Sequence, residues 1–319
     1  MRFWETMNFP VLAVLSGLLA LLTAASAWVA LLVRRHPERN YRELSARVRT
    51  WWFILVFFFG ALLFGLRISL LFFAFVSFLA LKEYYSLIPT RRADRRVLFW
   101  AYLAIPFQYY WVGIEWYGMF AIFIPVYVFL FLPLRMVLIG ETSGFLSAAA
   151  TLYWGLMTTV YSLSHAAYLL LLPMKGGAAW KAQAVGGTTL VLYLVVLTQL
   201  NDVLQYIWGK SMGRSKVVPL VSPGKTWAGL LGGVCSTIVL ATVLAPLLTP
   251  LTLRQSMLAG LIIGLFGFIC DITVSAVKRD LQIKDSGSIL PGYGRILDRV
   301  DSLTYTAPMF FHFVRYLCF

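Results

Sequence analysis

Toward its C-terminus the chain reads Asp271-Ile-Thr-Val-Ser275-Ala-Val-Lys278-Arg279-Asp280, then Lys284-Asp285-Ser286-Gly287, Pro291-Gly292-Tyr293-Gly294-Arg295 and Asp298-Arg299-Val300-Asp301-Ser302. A polar loop carries such a mixture for solubility alone, but three features set this one apart. Asp271 follows the apolar run Gly267-Phe268-Ile269-Cys270; a carboxylate in such a setting costs several kcal/mol (on the order of 3) unless it is paired, metal-bound or faces a wet cavity. Asp298 and Asp301 are three residues apart, so on a helix they share a face and can offer oxygens to one hard cation. Pro291, Gly292 and Gly294 give a loop whose backbone can approach a ligand closely, beside Lys and Arg side chains suited to phosphate. Together these describe a metal and phosphate site.

A second group lies upstream: Asn201-Asp202, Gly209-Lys210, Gly213-Arg214-Ser215-Lys216 and Ser222-Pro223-Gly224-Lys225-Thr226. The basic residues from 209 to 227 have no acidic counterweight. A Ser-Pro-Gly-Lys-Thr turn leading into a helix offers amide groups, a hydroxyl and an ammonium to an anion at the positive helix end. It is not a phosphate loop of the GxxxxGK[ST] type, because the first glycine is missing.

The elements that must hold these residues are membrane helices. With 60% hydrophobic and 13% charged residues among 319, and a mean hydropathy of +0.80, the chain has too little polar surface to cover a soluble globule. We expect an all-α polytopic bundle of nine to ten spans forming one integral membrane domain over 1–319. The segments are 10–33, 51–66, 68–85, 97–114, 118–138, 145–172, 184–208, 228–249, 256–277 and 303–318. The first reads as an uncleaved span rather than a signal peptide, because it runs on to Arg34 and Arg35. Only Gly65, Leu66 and Arg67 separate the second from the third, and kinks are expected at Pro106, Pro125 and Pro133.

With the N-terminus outside, the loops 34–50, 82–96, 135–144, 209–227 and 278–302 face the cytosol and hold 21 of the 27 Lys and Arg. That places both polar groups on one face and explains the net charge of +14 by the membrane, not by nucleic acid. Cys235, Cys270 and Cys318 show neither disulfide nor zinc spacing and read as packing residues. His165 reads as a buried hydrogen-bonded residue, and Glu83 either pairs with the core or sits among headgroups.

The stretch Ser275 to Asp301 resembles the signature of the CDP-diacylglycerol synthases (phosphatidate cytidylyltransferases): Ser, two residues, Lys-Arg, then Lys-Asp, a Pro-Gly-His-Gly-Gly element and Asp-Arg-x-Asp. The matching positions are Ser275, Lys278, Arg279, Lys284, Asp285, Pro291, Gly292, Gly294, Asp298, Arg299 and Asp301. Asn201-Asp202 and Ser222-Pro223-x-Lys225-Thr226 look like the same family's nucleotide-side motifs, and the layout is similar to its longer bacterial paralogues. Where the family has His-Gly-Gly, this chain has Tyr293-Gly294-Arg295; a phenol near pH 10 does not replace an imidazole at neutral pH.

The resemblance implies an enzyme of the bacterial cytoplasmic membrane with its active site toward the cytosol. Its partners are CTP, phosphatidate or a related lipid phosphate, and membrane lipids, and a homodimer is compatible with it. Residues 200–319 would form the catalytic part and 1–199 the lipid side. Mg²⁺ is the implied cofactor, held by Asp271 and Asp298 with Asp285 and Asp301 as further ligands or behind them, and a second, monovalent cation is left open. Lys225, Lys278, Arg279, Lys284 and Arg299 would hold the phosphates of CTP and lipid, while Asn201, Asp202 and Ser222 shape the nucleotide side, with Thr226, Ser275, Gly292, Tyr293 and Gly294 also lining it. The alternatives are a CTP-dependent lipid-alcohol kinase and a catalytically silent lipid-phosphate-binding membrane protein.

Overall fold

The computed structural model describes residues 9–36, 38, 41–88, 95–172, 186–282 and 296–318. Lys284, Asp285, Pro291, Gly292, Tyr293, Gly294 and Arg295 lie outside the described residues, and with them the expectations placed there. The chain divides into two compact units, one ending at Ser69 and the other beginning at Leu70.

In the first unit, α1 (Phe9–Arg35) and α2 (Arg42–Leu63) are joined by the Trp52 indole N–H donating to Ser26 Oγ at 3.0 Å. At about 1.5 Å per residue, the 27 residues of α1 reach about 40 Å, enough for a hydrocarbon core of about 30 Å. The break before α3 (Leu66–Leu87) is narrower than the expected three-residue linker. Gly65 takes φ +96°, which other residues rarely adopt, and the Ser69 hydroxyl donates back across the turn to Ala61 O at 3.0 Å.

The second unit continues with α4 (Arg95–Gly113), α5 (Tyr117–Ile122), a π-helical stretch Phe123–Val128 and α6 (Phe129–Val137). Next come α7 (Phe145–Leu156), a second π stretch Met157–Tyr161 and α8 (Ser162–Leu169). Pro125 falls in the first π stretch, where a wider turn accommodates the missing amide, while α4 and α6 run on through Pro106 and Pro133. His165 is fully buried with Nδ1 2.7 Å from Tyr161 O.

Four long helices follow: α9 (Gly187–Met212), α10 (Trp227–Leu248), α11 (Leu253–Asp280) and α12 (Leu297–Cys318). They pack in succession, α9 on α10, α10 on α11 and α11 on α12, while α12 also packs on α8. Small residues set these contacts. A Cβ on Gly213 would strike Gly209 O and Thr226, and one on Gly229 would lie 2.8 Å from Gln205 O, so α9 and α10 touch backbone to backbone. A Cβ on Gly260 would lie 2.7 Å from Ile238 Cα, which brings α11 equally close to α10.

Six described helical segments are long and apolar enough to cross a membrane: Phe9–Arg35, Leu44–Leu63, Tyr117–Val137, Gly187–Met212, Trp227–Leu248 and Leu253–Asp280. The architecture is an all-α polytopic membrane protein. The last helix begins at Leu297, six residues before the expected start of its span, so Asp298, Arg299, Asp301 and Ser302 belong to a helix rather than a loop. Likewise α11 extends to Asp280 and carries Ser275, Lys278 and Arg279 on regular helix.

Candidate active site

The two polar groups of the sequence meet through Lys225 and Asp271, whose side chains form an ion pair. Lys225 reaches this position from a short hairpin. Val217 N–H donates to Lys225 O at 3.1 Å and Trp227 N–H to Ser215 O at 3.1 Å, while Lys225 N–H closes a turn on Ser222 O at 3.1 Å. The hairpin ends in Thr226, whose buried hydroxyl accepts from Gly229 N–H at 3.1 Å and so caps α10. The Lys225 ammonium also donates to Gln205 Oε1 at 3.3 Å and lies 5.7 Å from the Phe268 ring centre.

Beneath that pair sits Ser302, 1% exposed. Its hydroxyl is 2.7 Å from Asp202 Oδ2, 3.4 Å from Asp271 Oδ1 and 3.5 Å from Asp301 Oδ1. One hydroxyl has one proton to give, and the short distance assigns it to Asp202. Three carboxylates from three helices therefore converge with, among the described residues, the Lys225 ammonium in contact, and like charges this close raise one another's cost unless a cation answers them. Asp202 Oδ1, Gln205 Nε2 and Arg299 Nε are buried without a hydrogen-bond partner among the described residues. A buried polar atom left without a partner calls for an explanation, and a bound ligand is one.

Asp298 lies one turn earlier on α12, its Oδ1 2.6 Å from the Lys278 ammonium. The structure thus groups Asp271 with Asp202 and Asp301 and gives Asp298 to a different lysine. Among the described residues no group of three His, Cys, Asp or Glu is placed to hold a metal ion. The donor chemistry nonetheless fits a hard cation: carboxylate oxygens with one orphaned among them and an excess of negative charge.

Several residues are placed by local bonds. Asn201 is fully buried, accepts from Thr237 Oγ1 at 3.0 Å, and lies against Gly267, where a Cβ would be 2.7 Å from its Nδ2. Gly267 therefore leaves room for the Asn201 amide between α9 and α11. The Ser275 hydroxyl donates to Asp271 O at 2.7 Å within α11. Arg279 Nε donates to Val221 O at 2.9 Å, tying the hairpin to α11. The Cys270 thiol, expected only to pack, donates to Asp301 O at 2.7 Å.

A sequence model described as "Cytidylyltransferase family" matches residues 45–317. The chain belongs to this family. It is 47% identical to the Escherichia coli (strain K12) protein YnbB, described as uncharacterised, over 306 residues, 96% of this chain and 98% of that protein. It is 38% identical over 124 residues to the phosphatidate cytidylyltransferase of Staphylococcus haemolyticus (strain JCSC1435), covering 39% of this chain and 48% of that enzyme. With the phosphatidate cytidylyltransferase of Haemophilus influenzae (strain ATCC 51907 / DSM 11121 / KW20 / Rd) it shares 36% identity over 132 residues, 40% of this chain and 46% of that enzyme. The matches thus span about half the length of these two enzymes.

As a member of the cytidylyltransferase family the protein is a nucleotidyltransferase, and two recesses lie on the side of α11 that faces α3 and α7. A recess of about 640 Å³ is lined by residues including Tyr84, Ile88, Ala148, Trp154, Val277 and Leu281. A smaller one of about 50 Å³ shares Tyr84, Trp154 and Val277 and reaches Leu297, Asp301 and Tyr305. Sequence reasoning passed over two residues of this polar centre, Ser302 and Gln205. Each is uncharged, and only its neighbours on other helices reveal its place.

Proposed function

We propose that the protein transfers CMP from CTP to a lipid phosphate, phosphatidate or a close relative, giving CDP-diacylglycerol and pyrophosphate for phospholipid synthesis. The observation that carries this reading is the Lys225–Asp271 pair, which joins the anion-binding turn to the convergent carboxylates. A nonbridging oxygen of the lipid phosphate attacks the α-phosphorus of CTP, the bond to the β-phosphate oxygen breaks, and pyrophosphate leaves. A phosphate monoester is already a competent nucleophile, so positioning and charge neutralisation outweigh general base work.

In this reading Lys225, Lys278 and Arg299 hold phosphate oxygens, and Arg279 steadies the hairpin that presents Lys225. Lys284 and Asp285 keep the phosphate and ligand roles that the motif implies. Asp271 with Asp202 and Asp301 would hold Mg²⁺, with Asp298 one turn away as a further ligand. When bound, Mg²⁺ neutralises triphosphate charge and leaves the α-phosphorus more open to attack. Asn201, Gln205 and Ser222 shape the nucleotide side. The recess beside Tyr84 and Trp154 takes acyl chains, whose transfer from lipid needs an apolar lining.

We place the centre at the cytosolic face of a bacterial inner membrane, with ten spans and the N-terminus outside, on the distribution of Lys and Arg. Maleimide labelling of Lys216→Cys and Asp280→Cys in intact cells tests that side, since both must resist an impermeant reagent. The reaction is tested with purified protein, labelled CTP, Mg²⁺ and a panel of lipid phosphates and lipid alcohols. CDP-lipid with pyrophosphate supports the transfer. CDP with a phosphorylated alcohol identifies a kinase, and lipid-phosphate binding without CTP turnover a silent relative.

A further inference from the structure

The helix carrying Asp298, Arg299, Asp301 and Ser302 begins at Leu297, immediately after Ile296. Ile296 offers its carbonyl to Arg299 N–H at 2.9 Å and Val300 N–H at 3.2 Å, but it has no side-chain oxygen to cap the helix. The missing acceptor comes from elsewhere in the fold. Glu83, 6% exposed near the end of α3, accepts from Leu297 N–H through Oε2 at 2.8 Å.

Glu83 is itself held fast. The Tyr84 hydroxyl donates to Thr151 O at 3.2 Å and the Tyr85 hydroxyl to Leu152 O at 2.9 Å, so the residues after Glu83 fasten α3 to α7. The Ser86 hydroxyl donates to Glu83 O at 2.7 Å. A carboxylate at the positive end of a helix makes a charge-assisted bond stronger than a neutral one. Tyr84 and Leu297 also border the small recess that reaches Asp301.

We propose that Glu83 is a positioning residue for the carboxylates of α12: it fixes the first turn so that Asp301 and Ser302 meet Asp271 and Asp202, and Asp298 meets Lys278, in register. In this role its carboxylate acts through α12 rather than on the reacting groups. The effect on turnover rests on the transfer reaction proposed above, whereas the effect on α12 does not. Displacing reacting groups by about 1 Å costs up to 10²-fold in rate, so loss of the cap acts on kcat rather than on CTP affinity.

The test uses the full chain in lipid nanodiscs, comparing wild type with Glu83→Ala and Glu83→Gln. Gln keeps an acceptor oxygen without the charge. Amide exchange over 297–302 is measured alongside kcat and KM for CTP with phosphatidate and Mg²⁺. The expected result for Glu83→Ala is exchange at least about tenfold faster over 297–302 with α9 and α10 unchanged, kcat down about 10- to 100-fold, and KM within about twofold. Glu83→Gln should recover most of both losses. Unchanged exchange over 297–302, or unchanged kcat, overturns the proposal. So does loss of protection throughout the chain with no rescue by Gln, which marks a fold residue only. A wild type that never turns over CTP defeats the proposed reaction instead, and the exchange comparison then decides the role of Glu83.

Discussion

Replacing Lys225 by Met removes the ammonium while keeping an unbranched side chain of similar length. The Lys225 and Asp271 side chains are 24% and 17% exposed, between a surface pair worth up to about 1 kcal/mol and a buried one whose breakage costs about 3–5 kcal/mol. A stability loss of about 1–3 kcal/mol follows, because Asp271 keeps its neighbours Asp202 and Asp301 without the nearest counter-charge. The catalytic loss is a separate quantity. A charge-assisted contact to phosphate is worth about 1.5–3 kcal/mol, which at about 1.4 kcal/mol per tenfold is roughly 10- to 150-fold in kcat/KM. Pyrophosphate release at varied CTP, together with thermal unfolding, measures both. The double variant Lys225→Met/Asp271→Asn separates them: removing both charges should restore stability but not turnover. A Lys225→Met protein with kcat/KM within about threefold of wild type would refute the joining of the turn to the carboxylates as the basis of activity.

Asp298→Asn should abolish Mg²⁺-dependent pyrophosphate release from CTP; retained turnover in the same assay removes Asp298 from any ligand role. Arg279→Ala frees Val221 O and loosens the hairpin that presents Lys225, so KM for CTP should rise by up to about tenfold in steady-state kinetics. Gly213→Ala forces a methyl into Gly209 O and Thr226 and should cost about 1–3 kcal/mol, read as a lower Tm. Gly224→Ala, with no atom within 4 Å of the added carbon, should stay within about 0.5 kcal/mol of wild type.

The charged members of the centre were legible before any coordinates because charge inside an apolar run carries its own cost. Asp271 and Asp202 stand out in that way, and Lys225 stands out as the ammonium of an anion-binding turn. Ser302 and Gln205 were not assigned for the opposite reason, while for Glu83 two placements stayed open, pairing with the core or lying among headgroups. A serine or glutamine in a membrane helix is common, and its role here depends on which foreign side chain lies within 3.5 Å. The same holds for the grouping of the carboxylates. The three-residue spacing put Asp298 and Asp301 on one helix face, but α11 presents Lys278 to the first, and Ser302 lies beside the second. Helix bounds moved for a local reason: Glu83 caps Leu297, so a polar segment that hydropathy ends at 302 is already helical from 297.

The glycine seam between α9 and α10 has a bearing on how cargo enters and leaves. Where glycines bring two helices this close, with the Trp208 ring and the Gln205 side chain of α9 against Gly232 and Gly233 of α10, parting them would break many contacts at once. Gates belong instead on edges closed by swinging groups, such as the rim where Lys278 and Arg279 reach across. The same close approach at Gly260 joins α11 to α10, so α9, α10 and α11 form one tight stack, and freedom to adjust falls to the side chains along the rim.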